Sequence, residues 1–211
     1  MPLTRFEKLD PHRRQRLVAA AAREFAFEGY EAASLGRIAE ETGVSKPALY
    51  YYFEDKADLY ATVVREAWQR LSPQGHVDLQ SLDGRGFWPA LEAVHLASFE
   101  RSRLEPWLLA VWKQAYHPPP AGVAASAVAE VFERGRAFLR ALLQRGQELG
   151  VVRTDLPEDL LIAVFTGADD AADHWLVDHW DDVGPEEVVR LSRRVFDVMP
   201  RLLAPPGRPE G

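Results

Sequence analysis

Residues 34–56 read SLGRIAEETGVSKPALYYYFEDK, and the punctuation of this stretch decides the fold. Ser34 stands at the N-cap position before Leu35–Thr42 and Gly43 supplies a stop. Ser45 then caps a second helix beginning Lys46-Pro47, with proline tolerated in the first turn. Two short capped helices meeting at Thr42-Gly43-Val44-Ser45 have the layout of a helix-turn-helix. Ile38, Ala39, Val44, Leu49 and Phe53 are its expected core. At about 100° per residue from Lys46, Leu49 and Phe53 fall inward. Pro47, Ala48 and Tyr51 fall opposite them, flanked by Tyr50 and Tyr52. Such a helix suits a DNA major groove, its outer strip meeting base edges and its flanks meeting the phosphate walls. A phenolic hydroxyl can donate to a phosphate oxygen, and the ring can press on a sugar or a thymine methyl. Without such a partner, three exposed tyrosines would be an apolar patch facing water.

Outward from this motif the chain reads as helices throughout. Leu17, Ala21, Phe25 and Ala26 recur at helical spacing from Pro11 to Gly29, which ends the first helix, and Lys56–Leu71 forms a fourth. Ser72-Pro73-Gln74-Gly75 and Asp83-Gly84-Arg85-Gly86 bracket a turn-rich connector, where the boundary between two domains is expected. The expected division is 1–55 for the helix-turn-helix head, 56–72 for a connecting helix, 73–204 for a larger helical domain and 205–211 for a frayed tail. Phe87–Leu104 and Glu105–Tyr116 are apolar nearly all round and read as buried; His117-Pro118-Pro119-Pro120 stops the second. Val123 to Leu149 is a long amphipathic helix with Val128, Val131, Phe132, Phe138, Leu139, Leu142 and Leu143 on one arc, closed by Gly150. Another helix starts at Asp155 or Leu156, with Pro157 in its first turn, and runs to about Trp180. Val183-Gly184-Pro185 breaks it before a last helix over Glu186–Leu203. No run alternates with period two and nothing repeats, so the fold class is all-α with about nine helices.

Composition limits what such a fold can do. The 211 residues are 47% hydrophobic and 27% charged, an ordinary globular balance. Lys and Arg number 25 against 32 Asp and Glu, a net charge of −7, which speaks against a protein that coats nucleic acid or anionic lipid over its whole surface. The N-terminal stretch differs: residues 1–23 hold Arg5, Lys8, Arg13, Arg14, Arg16 and Arg23 against Glu7 and Asp10, a local +4 that can attract phosphates. With 0 cysteines there is no thiolate zinc site, disulfide or thiol nucleophile. No basic start precedes an apolar run and no stretch approaches a membrane span, so a cytoplasmic location is expected. GxSxG, HExxH, GxxxxGK[S/T] and GxGxxG are all absent, so neither an enzyme nor a cofactor is expected.

Phe25-Ala26-Phe27-Glu28-Gly29-Tyr30, Ile38-Ala39, Gly43-Val44-Ser45-Lys46 and Leu49-Tyr50-Tyr51-Tyr52-Phe53, followed by Lys56, Leu59 and Tyr60, resemble the DNA-binding head of the TetR family of bacterial transcriptional regulators. The resemblance covers roughly residues 11–70. A second, weaker likeness lies in Gly146-Gln147-Glu148-Leu149-Gly150-Val151-Val152-Arg153 with Pro157, similar to the family's turn before its dimerisation helices. The resemblance implies a three-helix head and a larger domain that binds a small effector and pairs two subunits through its last two long helices. It places DNA contacts at Ser34, Arg37, Ser45, Lys46, Pro47, Ala48, Tyr50, Tyr51, Tyr52 and Lys56. Ala48 departs from the hydroxyl or glycine more usual there, which favours contact with a thymine methyl over a base-edge hydrogen bond.

The C-terminal half yields softer expectations. Leu161, Val164, Phe165, Ala168, Ala172, Trp175 and Leu176 share an arc too broad for one neighbour, which with Val195, Phe196 and Met199 predicts a four-helix dimer interface. Its two-fold would present two recognition helices to successive major grooves of a palindromic double-stranded operator. Trp88, His95, Phe99, Trp107, Trp112, Tyr116 and Phe138 are expected to line an effector cavity for an apolar or planar ligand, a lipophilic cation or an acyl or aromatic acid. Asp169, Asp170, Asp173, His174, Asp178 and His179 read mainly as a solvated, ion-paired face; one helix cannot bring them to a single ion, and no metal site is expected. The lesser reading sends Asp170, Asp173 or His174 into the effector cavity. The sequence reads best as a homodimeric, ligand-released repressor. The alternative is a small-molecule sensor with a vestigial helix-turn-helix, and a non-specific nucleoid protein is disfavoured by the acidic total.

Overall fold

A computed structural model describes residues 4–72, 77–115 and 122–207. They form α1 (Thr4–Glu7), α2 (Pro11–Ala32), α3 (Leu35–Thr42), α4 (Lys46–Tyr52), α5 (Lys56–Leu71), α6 (Phe87–Leu104), α7 (Pro106–Ala115), α8 (Val123–Glu148), α9 (Glu158–Asp178), α10 (Trp180–Val183), α11 (Pro185–Phe196) and α12 (Val198–Leu203). A 3-10 turn at Leu79–Ser81 interrupts the connector. There is no strand among the described residues, and nine helices have seven residues or more. The all-α expectation holds.

Local chemistry accounts for the ends. Asp10 accepts the Arg13 N–H at 3.1 Å, Ser34 that of Arg37 at 3.4 Å and Ser45 that of Ala48 at 3.3 Å, each satisfying a donor that a helix N-terminus leaves open. Gly43 closes α3 in the left-handed region at φ 70°, where a side chain would be strained. Gly29, at φ 76°, breaks the helical path inside α2, so the expected stop is a kink followed by one more short turn.

Four boundaries differ from expectation. α9 starts at Glu158, with Pro157 as its N-cap and not in its first turn, so the expected start at Asp155 or Leu156 is corrected. The N-terminal arm carries α1, whose Phe6 is buried with its ring 4.8 Å from that of Phe53. The helix expected to reach Trp180 ends at Asp178: the His179 N–H and its ring Nδ1 both reach the Trp175 carbonyl, at 3.1 and 2.8 Å, and a separate short helix begins at Trp180. The last helix divides at Asp197; Pro200 has no N–H for the Phe196 carbonyl four residues earlier, and its ring crowds that carbonyl.

The chain forms two compact units. One comprises Met1–Leu71 with Leu104–Phe132. Its core joins Leu17, Phe25, Ile38, Leu49, Phe53, Leu59 and Val63 to Trp107, Leu108 and Val111, so α7 packs along α2. Every expected core residue of the helix-turn-helix is buried except Val44, which is half-buried against the same cluster. Burial of each such side chain stabilises the unit by about 1.5–3 kcal/mol. The second unit comprises Ser72–Arg103 with Glu133–Gly211, and its core is Phe87, Leu91, Leu139, Leu142, Leu143, Val152, Leu161, Ile162, Phe196 and Leu203. Gly146 belongs where it is because a Cβ there would collide with Val152 and come within 2.8 Å of Phe87. Arg145 holds the connector by donating to the carbonyls of Leu79 and Leu82 at 3.1 and 2.8 Å. Two expected faces are less buried than their periodicity suggests: α6 exposes Pro89, Ala93 and Ala97, and Phe132 on α8 is exposed.

Candidate nucleic-acid interface

The recognition helix is built from both ends. Ser45 pins the start of α4, Leu49 and Phe53 anchor its inner face, and Ser45, Lys46 and Pro47 lie exposed at its first turn, with Ala48 half-buried behind them. Tyr50 and Tyr51 keep 50% and 52% of their surface open, so two phenols and the first turn make one outward strip. The Arg5 guanidinium sits 4.3 Å over the Tyr51 ring, bringing a cation from the N-terminal arm onto that strip. Sequence periodicity gave Arg5 no such place, because the arm's fold against α4 is a tertiary contact.

Tyr52 does not share this exposure. It is half-buried against the head's core, with its ring edge-on to Phe6 at 6.5 Å and to Tyr51 at 5.5 Å. The expectation of three exposed tyrosines is therefore corrected to two, because α1 covers the third.

Two expected contact cations are committed within the protein. Arg37 donates through Nε to both Glu24 carboxylate oxygens at 2.9 and 3.0 Å and pairs with Glu28 at 3.2 Å, while the Ser34 N–H donates to the same Glu24 at 2.7 Å. The Arg37 hydrogen bond holds the Glu24 carboxyl below its usual value despite some burial, and the Ser34 N–H adds to that effect. This cluster ties α3 to α2 and fixes the angle from which the motif projects. Lys56 donates from Nζ to the Glu31 carbonyl at 2.8 Å and the Ala33 carbonyl at 3.4 Å, and lies 5.0 Å over the Tyr30 ring. Its ammonium thus satisfies carbonyls at the end of α2. Among the other basic residues, Arg14 lies 3.9 Å from Glu66 and Arg23 pairs with Glu41, whereas Lys46 stands exposed at the first turn of α4.

The profile of the family described as bacterial regulatory proteins, tetR family, matches residues 17–63, from the second turn of α2 into the first half of α5. The HTH-type transcriptional repressor SCO4008 of Streptomyces coelicolor is 31% identical over 157 residues, 72% of this chain and 74% of that protein. The chain belongs to the TetR family. It is a DNA-binding transcriptional regulator of that family, which is not a family of enzymes. The HTH-type transcriptional activator FasR of Mycolicibacterium smegmatis is 45% identical over 53 residues, 25% of this chain and only 24% of that protein, so that likeness is confined to the head. The crystal structure of FadR from Bacillus subtilis in complex with stearoyl-CoA superposes with a TM-score of 0.72 at 19% identity, covering 88% of this chain and 96% of that one, a likeness of fold.

The residues expected around an effector are not all brought together. In the second unit the His95 ring lies 5.2 Å from Phe99 and 5.3 Å from Phe196, and Phe99 stacks on Trp180 at 6.5 Å. Trp88 is half-buried edge-on to Phe87 at 5.0 Å, and Phe138 is half-buried on α8. Trp107 sits elsewhere, in the core of the first unit, donating from Nε1 to Glu105 at 3.1 Å beneath Arg70. The Trp112 side chain and Tyr116 lie outside the described residues. An open cleft of about 480 Å³ lies within the first unit, lined in part by His12, Arg16, Arg23, Glu41, Leu104 and Trp107, and of the expected effector residues it holds Trp107 alone.

The acidic stretch of α9 divides by face. Asp170 is exposed and His174 pairs with Asp178 at 3.1 Å, as a solvated surface would. Asp173 is buried, and it and Asp169 come together with His95 of α6. The reading of this whole stretch as a solvated face is therefore corrected for these two acids, since a second helix supplies the partner that α9 alone could not.

Of the ten residues expected at a dimer interface, Leu161, Leu176, Phe196 and Met199 are buried within the protomer. Phe165, Ala168, Ala172 and Val195 are half-buried. Val164 and Trp175 are open to solvent and belong to an exposed row with Leu160, Gly167 and Ala171, accompanied by Val198 and Leu202 of α12. The broad apolar arc of α9 thus serves two partners, one side closing the unit's own core and the other facing outward. The row at positions 160, 164, 167, 171 and 175 has helical spacing and was the signal that could have separated the sides.

Proposed function

We propose that this regulator is a homodimeric repressor that binds a palindromic operator through α4 and is released by a small, largely apolar effector held in the second unit. The observation that carries the reading is the outward strip of α4, where Ser45, Lys46, Pro47, Tyr50 and Tyr51 stand open on a helix anchored from behind by Leu49 and Phe53. Ser34 and Ala48 complete the contact set, and Arg37, Tyr52 and Lys56 hold it in position. The name of SCO4008, a repressor matched over most of its length, supports the sign of the regulation. No helix among the described residues is long and apolar enough to cross a membrane, and a DNA-bound regulator works where the chromosome is, in the cytoplasm.

Dimerisation is supported by the exposed row on α9 and α12: Leu160, Val164, Trp175, Val198 and Leu202 are large apolar groups left partly open to solvent, Trp175 with one face stacked on the His179 ring. Two copies joined there would present two α4 helices to half-sites about 34 Å apart. The effector reading rests on the rings of His95, Phe99, Phe196 and Trp180, which suit a planar or apolar guest. By linkage, a hundredfold loss of operator affinity on effector binding requires about 2.7 kcal/mol of coupling.

The test is selection of sheared genomic DNA on the purified protein at near-physiological salt, with the bound fragments sequenced. One short palindrome is expected, bound with an affinity that falls steeply with salt. Recovery of no sequence above background, both before and after unfolding and refolding to strip any bound effector, would refute operator recognition and leave the sensor with a vestigial head.

A further inference from the structure

We propose that His95, Asp169 and Asp173 form a binding site for one divalent transition-metal ion inside the second unit, between α6 and α9. One ligand atom from each residue, a ring nitrogen and two carboxylate oxygens, lies within 4.8 Å of the other two. Asp169 and Asp173 are four residues apart on one helix and so project from the same face, which His95 meets from the facing helix. Metal–ligand bonds of about 2.0–2.2 Å set such donors roughly 3–3.4 Å apart, a closure within reach of side-chain torsions.

Orphaned atoms separate this cluster from a chance meeting of acids. Asp173 is only 6% exposed and its Oδ1 has no hydrogen-bond partner, and Nε2 of His95 is likewise shut off from solvent without one. A buried, unpaired carboxylate oxygen is costly, and a nearby cation is the direct remedy. No Lys or Arg is ion-paired to either carboxylate among the described residues, and Asp170 beside them adds negative charge. A divalent ion with two carboxylates and a neutral imidazole sums to zero, the balance that a low-dielectric site requires. The imidazole is also available: its Nε2 makes no hydrogen bond, so the lone pair there is open to an ion, and the Ser192 backbone beside the ring favours its N–H form. Burial holds His95 down to about 4, so the ring is neutral and able to donate at pH 7. Burial and the neighbouring Asp170 push Asp169 up to about 6, and burial with repulsion from Asp169 and Asp170 raises Asp173 well above the ordinary aspartate range, as expected of acids enclosed without a counter-charge.

The donor set selects the ion. One imidazole with two carboxylates suits Zn²⁺, Ni²⁺ or Co²⁺, whereas Mg²⁺ prefers oxygen and retains its waters. Three protein ligands leave a coordination position for water or for an oxygen of a bound small molecule. The site stands whether or not the operator reading does.

The experiment uses the untagged full chain, stripped with EDTA and dialysed. Zn²⁺, Co²⁺, Ni²⁺ and Mg²⁺ are titrated separately while thermal midpoint and metal content are recorded, with the visible absorption of Co²⁺ reporting its ligands. About one Zn²⁺, Co²⁺ or Ni²⁺ per chain is expected, with a saturable rise in midpoint and no rise with Mg²⁺. Asp173→Asn keeps the shape and removes the charge, and His95→Gln removes the nitrogen donor; each should weaken binding by about a hundredfold or more. Should either variant unfold, the Co²⁺ spectrum of the unmodified chain decides, mixed nitrogen and oxygen ligation supporting the site. Retention of less than about a fifth of an ion per chain, an equal response to Mg²⁺, or unchanged binding in both folded variants would overturn the proposal.

Discussion

Lys56→Met separates a clamp from a phosphate contact. In the protein the ammonium donates to the Glu31 and Ala33 carbonyls and sits over the Tyr30 ring, contacts that a methionine of similar length cannot make. A hydrogen bond to a charged group contributes about 1.5–3 kcal/mol and an exposed cation–π contact about 0.5–1. The second carbonyl is at 3.4 Å and the side chain is only half-buried, so the sum is discounted to roughly 2–3 kcal/mol. For a chain of this size that lowers the melting midpoint by about 5–10 °C. Thermal melts and the salt dependence of operator binding are to be read together. The variant should lose stability yet keep nearly the full slope of log affinity against log salt. Lys46→Ala should behave in the opposite way, melting like the parent and losing about one unit of slope, as one released phosphate contact predicts. A Lys56→Met protein that melts within about 1 °C of the parent but loses about 0.9 of slope would refute the clamp and return Lys56 to the DNA surface.

Three further outcomes follow from the same geometry. Tyr51→Ala should weaken operator binding about 10- to 100-fold in a gel-shift titration with little change in melting, whereas Tyr52→Ala, which strips a contact from Phe6, should lower the melting midpoint first. Trp175→Glu should shift sedimentation from dimer to folded monomer, whereas Leu161→Ala should cost about 2–5 kcal/mol of stability in urea unfolding by leaving a cavity in the protomer's own core. The Glu24–Arg37 pair sets a pH dependence: because the folded carboxyl titrates below its usual 4.5, its stabilising contribution is complete above that value and is lost as pH falls through the folded one. Urea midpoints between pH 7 and 3 should therefore fall more steeply for the parent than for Glu24→Gln, and parallel curves would contradict the pairing.

The helix-turn-helix was legible because its determinants are short-range. Ser34 and Ser45 each cap a donor three residues on, Gly43 closes its own helix, and the inward positions of Leu49 and Phe53 follow from a rotation of 100° per residue. The limits of α3, α5 and α6 likewise follow from caps, glycines and prolines within a few residues. Where periodicity was asked to tell one buried face from another it fell short. On α9 it marked Leu161 and Trp175 as one arc, although the first lies in the protomer's core and the second in solvent, because an apolar residue does not state which neighbour it meets.

By itself the sequence determined an all-α chain, a helix-turn-helix with α4 as its presented helix, and the family to which it belongs. The tertiary structure alone decided how the charged and polar groups are spent. Arg37 goes to Glu24 across 13 residues and Lys56 to a carbonyl across 25, while Arg5 comes to Tyr51 and His95 to Asp169 and Asp173 from elements remote in the chain. Caps and faces are set by backbone geometry that neighbours in sequence share, so they can be read locally. The partner of a charge is set by which helices pack together, a choice made by the summed burial of many side chains.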